Sequence, residues 1–178
     1  MNITQFKEQL GSGGARPNQF EVQLLWPTGL QDAPNSEKQL LVTGAALPAS
    51  TVNPAIIQYR GREIKMAGER IFDPWTITIA NDSEFSLRKP FEHWMDNMNT
   101  KGNAAGDEAN EAVWLKPSEY VAELQVTHLD RNDDELMTYT LHDAFPINMS
   151  EIALQYAQND IIEEFTVTFQ YQWYTVQS

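Results

Sequence analysis

The 178-residue chain carries 12 Lys and Arg against 25 Asp and Glu, a formal net charge of −13, and contains no cysteine. A disulfide framework, a thiol nucleophile and thiol-ligated metals are therefore excluded. A pI near 4.5 argues against gripping nucleic acid or an anionic membrane through Lys and Arg. The length suits one domain, able to bury about 70% of its unfolded surface without covalent staples. The opening Met1 to Glu8 lacks the apolar stretch of a secretory signal, and no uncharged apolar run nears the ~20 residues that span a bilayer. A soluble protein made in the cytoplasm is expected.

Ile3, Phe6 and Leu10 share one face of a short helix, which stops at Gly11-Ser12-Gly13-Gly14, a breaker that reads as a hinge. Residues 1–14 are thus an arm and 15–178 the body. From Phe20 the period becomes two: Phe20, Val22 and Leu24 alternate with Glu21 and Gln23, a strand with one buried face. Thr28 to Ser36 reads as a loop and Gln39 to Thr43 as a second strand. Leu47 to Phe72 is less regular, with Pro48, Pro54 and a hairpin turn at Tyr59-Arg60-Gly61-Arg62, then Ile64-Lys65-Met66. Arg60, Arg62, Lys65 and Arg70 concentrate positive charge there. Trp75, Ile77 and Ile79 alternate with Thr76 and Thr78 as another strand.

Asn81 with Glu84 three residues later predicts a helix N-cap, followed by an apolar stripe of Leu87, Phe91, Trp94, Met95 and Met98. Pro90 either kinks this helix or starts its main portion, because it cannot donate the i−4 bond. The helix ends before Asn99, and Gly102 to Glu111 is an acidic loop. Ala122 to His128 and Met137 to Leu141 alternate as strands around a turn at Asp130 to Glu135. Ile152, Leu154 and Tyr156 predict a further strand. The longest is expected at the C-terminal end, with Phe165, Val167, Phe169, Tyr171 and Trp173 on one face. Phe165 to Val176 holds no charge or proline, which suits either a free edge that invites pairing or a central strand. No internal repeat is visible. Many alternating strands with one capped helix predict a mainly β fold: an antiparallel sandwich or barrel with a flanking helix.

No catalytic or cofactor motif emerges. His93, His128 and His142 are scattered, no G-x-S-x-G is present, and His142-Asp143 alone is a weak pair. Asp130-Arg131-Asn132-Asp133-Asp134 opens like a calcium loop, but Glu135 replaces the turn glycine and Leu141 the bidentate Glu, so an ordinary turn is the better reading. Glu163 and Glu164 point to opposite faces of a strand. No catalytic residue, metal or cofactor is expected. The basic cluster reads as one half of an electrostatic contact with an acidic surface of another copy.

Several runs resemble the tail tube proteins of contractile-tailed, T4-like bacteriophages. They are Ala15-Arg16-Pro17-Asn18, Ala46-Leu47-Pro48-Ala49, Lys116-Pro117-Ser118-Glu119-Tyr120 and Ala144-Phe145-Pro146. The most specific is Ala67-Gly68-Glu69-Arg70-Ile71-Phe72-Asp73, with Trp75 to Ile79 and Asn81-Asp82 after it. Longer loops at Thr28–Ser36 and Asn99–Glu111, and Pro74 within the signature, depart from the family pattern. The resemblance implies a structural virion protein and no enzyme. Six subunits close into a ring, and rings stack into the inner tail tube through which DNA passes without specific binding. A sheath protein surrounds the tube, and a baseplate initiator of similar fold starts it. It also implies a long hairpin reaching the next ring. By position this is Leu47 to Phe72, which makes Arg60, Arg62, Lys65 and Arg70 inter-ring contacts beside an acidic lumen. Alternatives are the initiator itself, the tube of a phage-derived injection device, or, from another class, a carbohydrate-binding β-sandwich.

Overall fold

The computed structural model describes residues 2–9, 14–28, 30, 33–34, 36–98, 116–157 and 160–177. The glycine hinge at 11–13 and the acidic loop at 99–111 lie outside them. In chain order the elements are α1 (Ile3–Gln9), β1 (Phe20–Leu24), a 3-10 helix (Ser36–Leu41), β2 (Val42–Ala45), β3 (Ser50–Tyr59), β4 (Arg62–Phe72) and β5 (Trp75–Ala80). There follow α2 (Arg88–Met98), α3 (Pro117–Tyr120), β6 (Ala122–Leu129), β7 (Glu135–Met149), β8 (Glu164–Gln170) and β9 (Trp173–Gln177). The architecture is mainly β and antiparallel with a flanking helix, as the alternation predicts, and it carries the long hairpin that the resemblance implies.

Seven strands run in the order β1-β6-β7-β8-β5-β2 with β9 added beside β7, while β3 and β4 pair only with each other. The 15-residue β7 joins the two halves of this sheet. Its first part pairs with β6 and β9 and its last part with β8. The change of partner falls at Asp143, in the left-handed region at φ 53, where the β6–β7 register slips between Ala122 and Leu124. Such a bulge bends a strand and lets it pass from one layer to another. The bend turns the inner faces of both halves onto one core. Val22, Leu24, Leu124, Val126 and Leu141 come from one side, and Trp75, Ile77, Ile79, Phe165, Val167 and Phe169 from the other. Burial of each such side chain contributes about 1.5–3 kcal/mol.

The C-terminal segment follows the same bend. One register holds from Thr138↔Gln177 through His142↔Trp173 to Pro146↔Phe169, so β8 and β9 are a single ribbon folded alongside β7. The expected unbroken strand is interrupted at Tyr171 and Gln172, and its phase changes there. Tyr171 is buried, Trp173 turns outward, and Tyr174 packs against the core instead. Both earlier readings of this stretch therefore hold in part: β8 is central between β7 and β5, and β9 has only β7 beside it.

Three other expectations are corrected. Residues 36–41 form a 3-10 helix, and the strand starts at Val42. Gln39 donates its side-chain N–H to the Leu24 carbonyl (3.1 Å), a contact made by this turn across the end of β1. Ile152, Leu154 and Tyr156 form no strand, since β8 already has β7 and β5 on its two edges. Asn81 does not cap the helix, which starts at Arg88: the Asp82 carboxylate closes the turn before it, accepting the Ser86 amide (2.7 Å) and hydroxyl (2.6 Å). Asn81 instead donates its side-chain amide to Glu163 (3.1 Å). Pro90 sits in the first turn of α2, where its missing N–H removes no intrahelical bond. Phe91 and Trp94 then reach the core beside Phe169, and the Trp94 indole donates to the Tyr120 carbonyl (2.7 Å).

Candidate assembly surfaces

The β3–β4 hairpin is built by three local devices. Arg60 (φ 48) and Gly61 (φ 80) both take positive φ, the requirement of a two-residue type I′ turn. Arginine in this conformation costs about 1–2 kcal/mol, which the longer ladder offsets. Farther down, the register slips between Val52 and Pro54, so β4 holds one more residue than β3. At that bulge a Cβ on Gly68 would lie 2.5 Å from the Asn53 carbonyl oxygen. Only glycine allows the approach, which explains the Ala67-Gly68-Glu69-Arg70 run physically.

The third device is a clamp at the root. The Ala49 carbonyl accepts both the Asp73 amide (3.1 Å) and the Tyr171 hydroxyl (3.3 Å). Phe72 packs against Tyr171 and Tyr174, with ring centroids 5.9 and 5.5 Å apart, and Tyr174 shares a hydrogen bond with Ser50 (3.2 Å). Burial, then the neighbouring Tyr174 and Asp73, push the Tyr171 hydroxyl from 10.0 up to about 12. It therefore stays protonated and able to donate.

Beyond this root the hairpin is exposed along both faces, from Thr51 to Ile71. Pairing places Ala55, Ile57 and Tyr59 on one face with Met66, Ile64 and Arg62, and Ile56 and Gln58 on the other with Lys65 and Glu63. Gln58 donates to Glu63 (3.0 Å). Arg60 and Arg62 meet around Tyr59 at the tip, with the Arg60 guanidinium 5.4 Å from the Tyr59 ring centre. Lys65 occupies the opposite face, and Arg70 stands opposite Val52 on the root side of the bulge. All four cations are exposed, but they surround the hairpin rather than forming one patch.

A second exposed apolar surface escaped the sequence reading. Leu154, Tyr156, Ile161 and Ile162, between β7 and β8, are each at least 69% exposed. Ala153, Leu154, Gln155, Tyr156 and Glu163 line a groove of about 450 Å³ there. The available signal was an adjacent apolar pair, Ile161-Ile162, set among carboxylates and lacking any strand period.

The chemically suggestive residues have structural partners. His142 lies between Glu123 (3.1 Å) and Thr175 (2.9 Å) and stacks on Trp173 (5.3 Å), while the adjacent Asp143 makes the bend of β7. Asp130 accepts the amides of Asn132 (2.6 Å) and Asp134 (3.1 Å), closing an ordinary turn. Among the described residues no group of three or more His, Asp or Glu is placed to hold a metal, and no helix is long and apolar enough to cross a membrane.

A bent antiparallel sheet with a long exposed hairpin at one end defines the class of this protein by its fold: mainly β, with one flanking helix. The phage tail tube protein family model matches residues 15–177, and the chain belongs to that family. The tail tube protein gp19 of Enterobacteria phage T4 is 31% identical over 156 residues, covering 86% of each chain. Two solved assemblies contain chains of the same fold. One is the anti-feeding prophage baseplate (TM-score 0.62, 15% identity, 92% of this chain and 95% of that one). The other is the extended sheath–tube complex of an extracellular contractile injection system (TM-score 0.53, 13% identity, 100% and 99%).

Proposed function

We propose that this chain is the subunit of a contractile tail's inner tube. Residues 15–178 act as one body, six copies close into a ring, and rings stack through the β3–β4 hairpin. Residues 1–14 serve as an arm. The observation that carries this reading is the hairpin. A two-stranded ribbon alone in water is marginal at best, and this one exposes Ile56, Ile57, Ile64 and Met66, so it needs a partner. Within this family the natural partner is another copy of the same chain.

The role is structural, without catalysis. The net charge of −13 suits a conduit, since each Lys or Arg contact with phosphate would retard the passing DNA. A sheath protein surrounds the tube and a baseplate initiator starts it, and the mature protein resides in the virion tail after synthesis in the host cytoplasm. Electron microscopy of the purified protein at high concentration tests the reading. Stacked rings with a central channel are expected, and a dispersed monomer at every concentration overturns it. Assembly only on added baseplates assigns the chain to tube initiation instead.

A further inference from the structure

We infer that the surface receiving the hairpin tip is the groove in the β7–β8 connection of a second copy, lined by Leu154, Tyr156 and Glu163, in a segment that also exposes Ile161 and Ile162 and carries Glu151 and Asp160. The inference rests on the stacking reading and adds the acceptor, which the hairpin alone does not identify.

Chemical complementarity is the first argument. The tip offers Ile57, Tyr59 and Ile64 on one face with Arg62, Arg60 in the turn and Lys65 on the other face, where Glu63, the one carboxylate there, is held by Gln58. The groove offers the opposite: exposed apolar side chains in a region where residues 151–178 include Glu151, Asp160, Glu163 and Glu164 but no Lys, Arg or His. Four of the chain's 12 cations lie on the hairpin, so a basic-apolar prong faces an acidic-apolar socket. The groove volume of about 450 Å³ accommodates an aromatic side chain such as Tyr59.

Placement is the second argument. β5 and β8 pair from Trp75↔Phe169 to Ala80↔Glu164. The hairpin enters β5 through Asp73-Pro74 at the Trp75 end, and Ile161-Ile162-Glu163 leads into β8 at the Glu164 end. The hairpin root and the socket therefore occupy opposite ends of the same strand pair, about 17 Å apart along it. A contact between opposite ends of identical subunits is head-to-tail, the kind of interface that builds an open filament when its rotation does not close. A ribbon of about ten residues per strand spans roughly 33 Å.

The absence of native cysteine makes a clean test. Tyr59→Cys and Tyr156→Cys are placed in one chain, tubes are assembled, and a short bismaleimide is added. A ladder of covalent multimers on a denaturing gel is expected, with none from either single variant. Tubes that form without a ladder overturn the groove assignment. Failure of the unmodified chain to form stacked rings overturns the stacking reading itself. A charge exchange gives an independent readout. Arg60→Glu with Arg62→Glu, and separately Glu151→Lys with Asp160→Lys, should each reduce tube formation about tenfold or more, while an equimolar mixture restores it. Tubes from either variant alone, or none from the mixture, overturn the pairing.

Discussion

β8 and the β3–β4 hairpin are both antiparallel strand segments rich in apolar residues, yet the fold treats them oppositely. β8 alternates without exception, and its Phe165, Val167 and Phe169 are 0–1% exposed between neighbours on both edges. The hairpin breaks the alternation with adjacent Ile56 and Ile57, carries apolar residues on both faces, and leaves them about half exposed. Strict period two marks a strand with one wet face, whereas apolar residues on both faces mark one covered on both sides. Among the described residues of a single subunit nothing covers the hairpin. The difference separates residues that stabilise the monomer from residues left for the proposed assembly contact.

Substitutions in the two regions should therefore report on different measurements. Phe169→Ala removes a ring packed on Trp75, Phe91 and Trp94 and should destabilise the isolated subunit by about 3–5 kcal/mol in denaturant unfolding. Ile57→Ala in the hairpin should leave that midpoint within about 0.5 kcal/mol while suppressing tubes. A large stability loss from Ile57→Ala would erase the comparison.

Gly68→Val is expected to open the bulge, at a local cost of about 1–3 kcal/mol, because its Cβ would collide with the Asn53 carbonyl. Hydrogen exchange of the hairpin amides should accelerate while β5 and β8 remain protected. Tyr171→Phe tests the joint between the regions. Loss of the bond to the Ala49 carbonyl should cost about 1 kcal/mol at neutral pH. The native hydroxyl titrates near 12 against 10.0 when unfolded, so above pH 10 the unfolded chain releases its proton first. The associated stability is fully present below pH 10 and is lost as pH rises toward about 12. Thermal melts of Tyr171→Phe should lack that part of the alkaline decline. The smallest effect is expected from Arg60→Asn. Asparagine accepts the left-handed turn at lower cost, so hairpin protection should rise by up to about 1 kcal/mol in exchange measurements.

Much of this architecture is legible in the chain. The turn at Arg60-Gly61 shows in the sequence because a type I′ turn demands particular residues, and the inward faces of β1, β5, β6 and β8 show because side chains alternate. The helix stripe from Leu87 to Met98 shows for the analogous helical period. The misread stretches share one feature, dependence on distant residues. Leu40-Leu41-Val42 resembles a strand, but where β2 begins is set by contacts with β1 and β5. Leu154 and Tyr156 alternate, but the β8 that follows them is already paired on both edges, by β7 and β5. The phase change between Tyr171 and Tyr174 follows the bend of β7 at Asp143, which lies 28 residues away in sequence from Tyr171.

By itself the sequence determined the β class, the absence of thiol chemistry, the acidic charge and the location of the basic hairpin, because these depend on residue type and local period. Tertiary structure alone decided which strands share an edge and where the terminal ribbon turns. It also decided that Tyr171 and Tyr174 clamp the hairpin root, and that this root and the groove lie at opposite ends of one strand pair. Those outcomes arise from pairing and packing between remote segments, and no local pattern encodes the distance between the ends they bring into play.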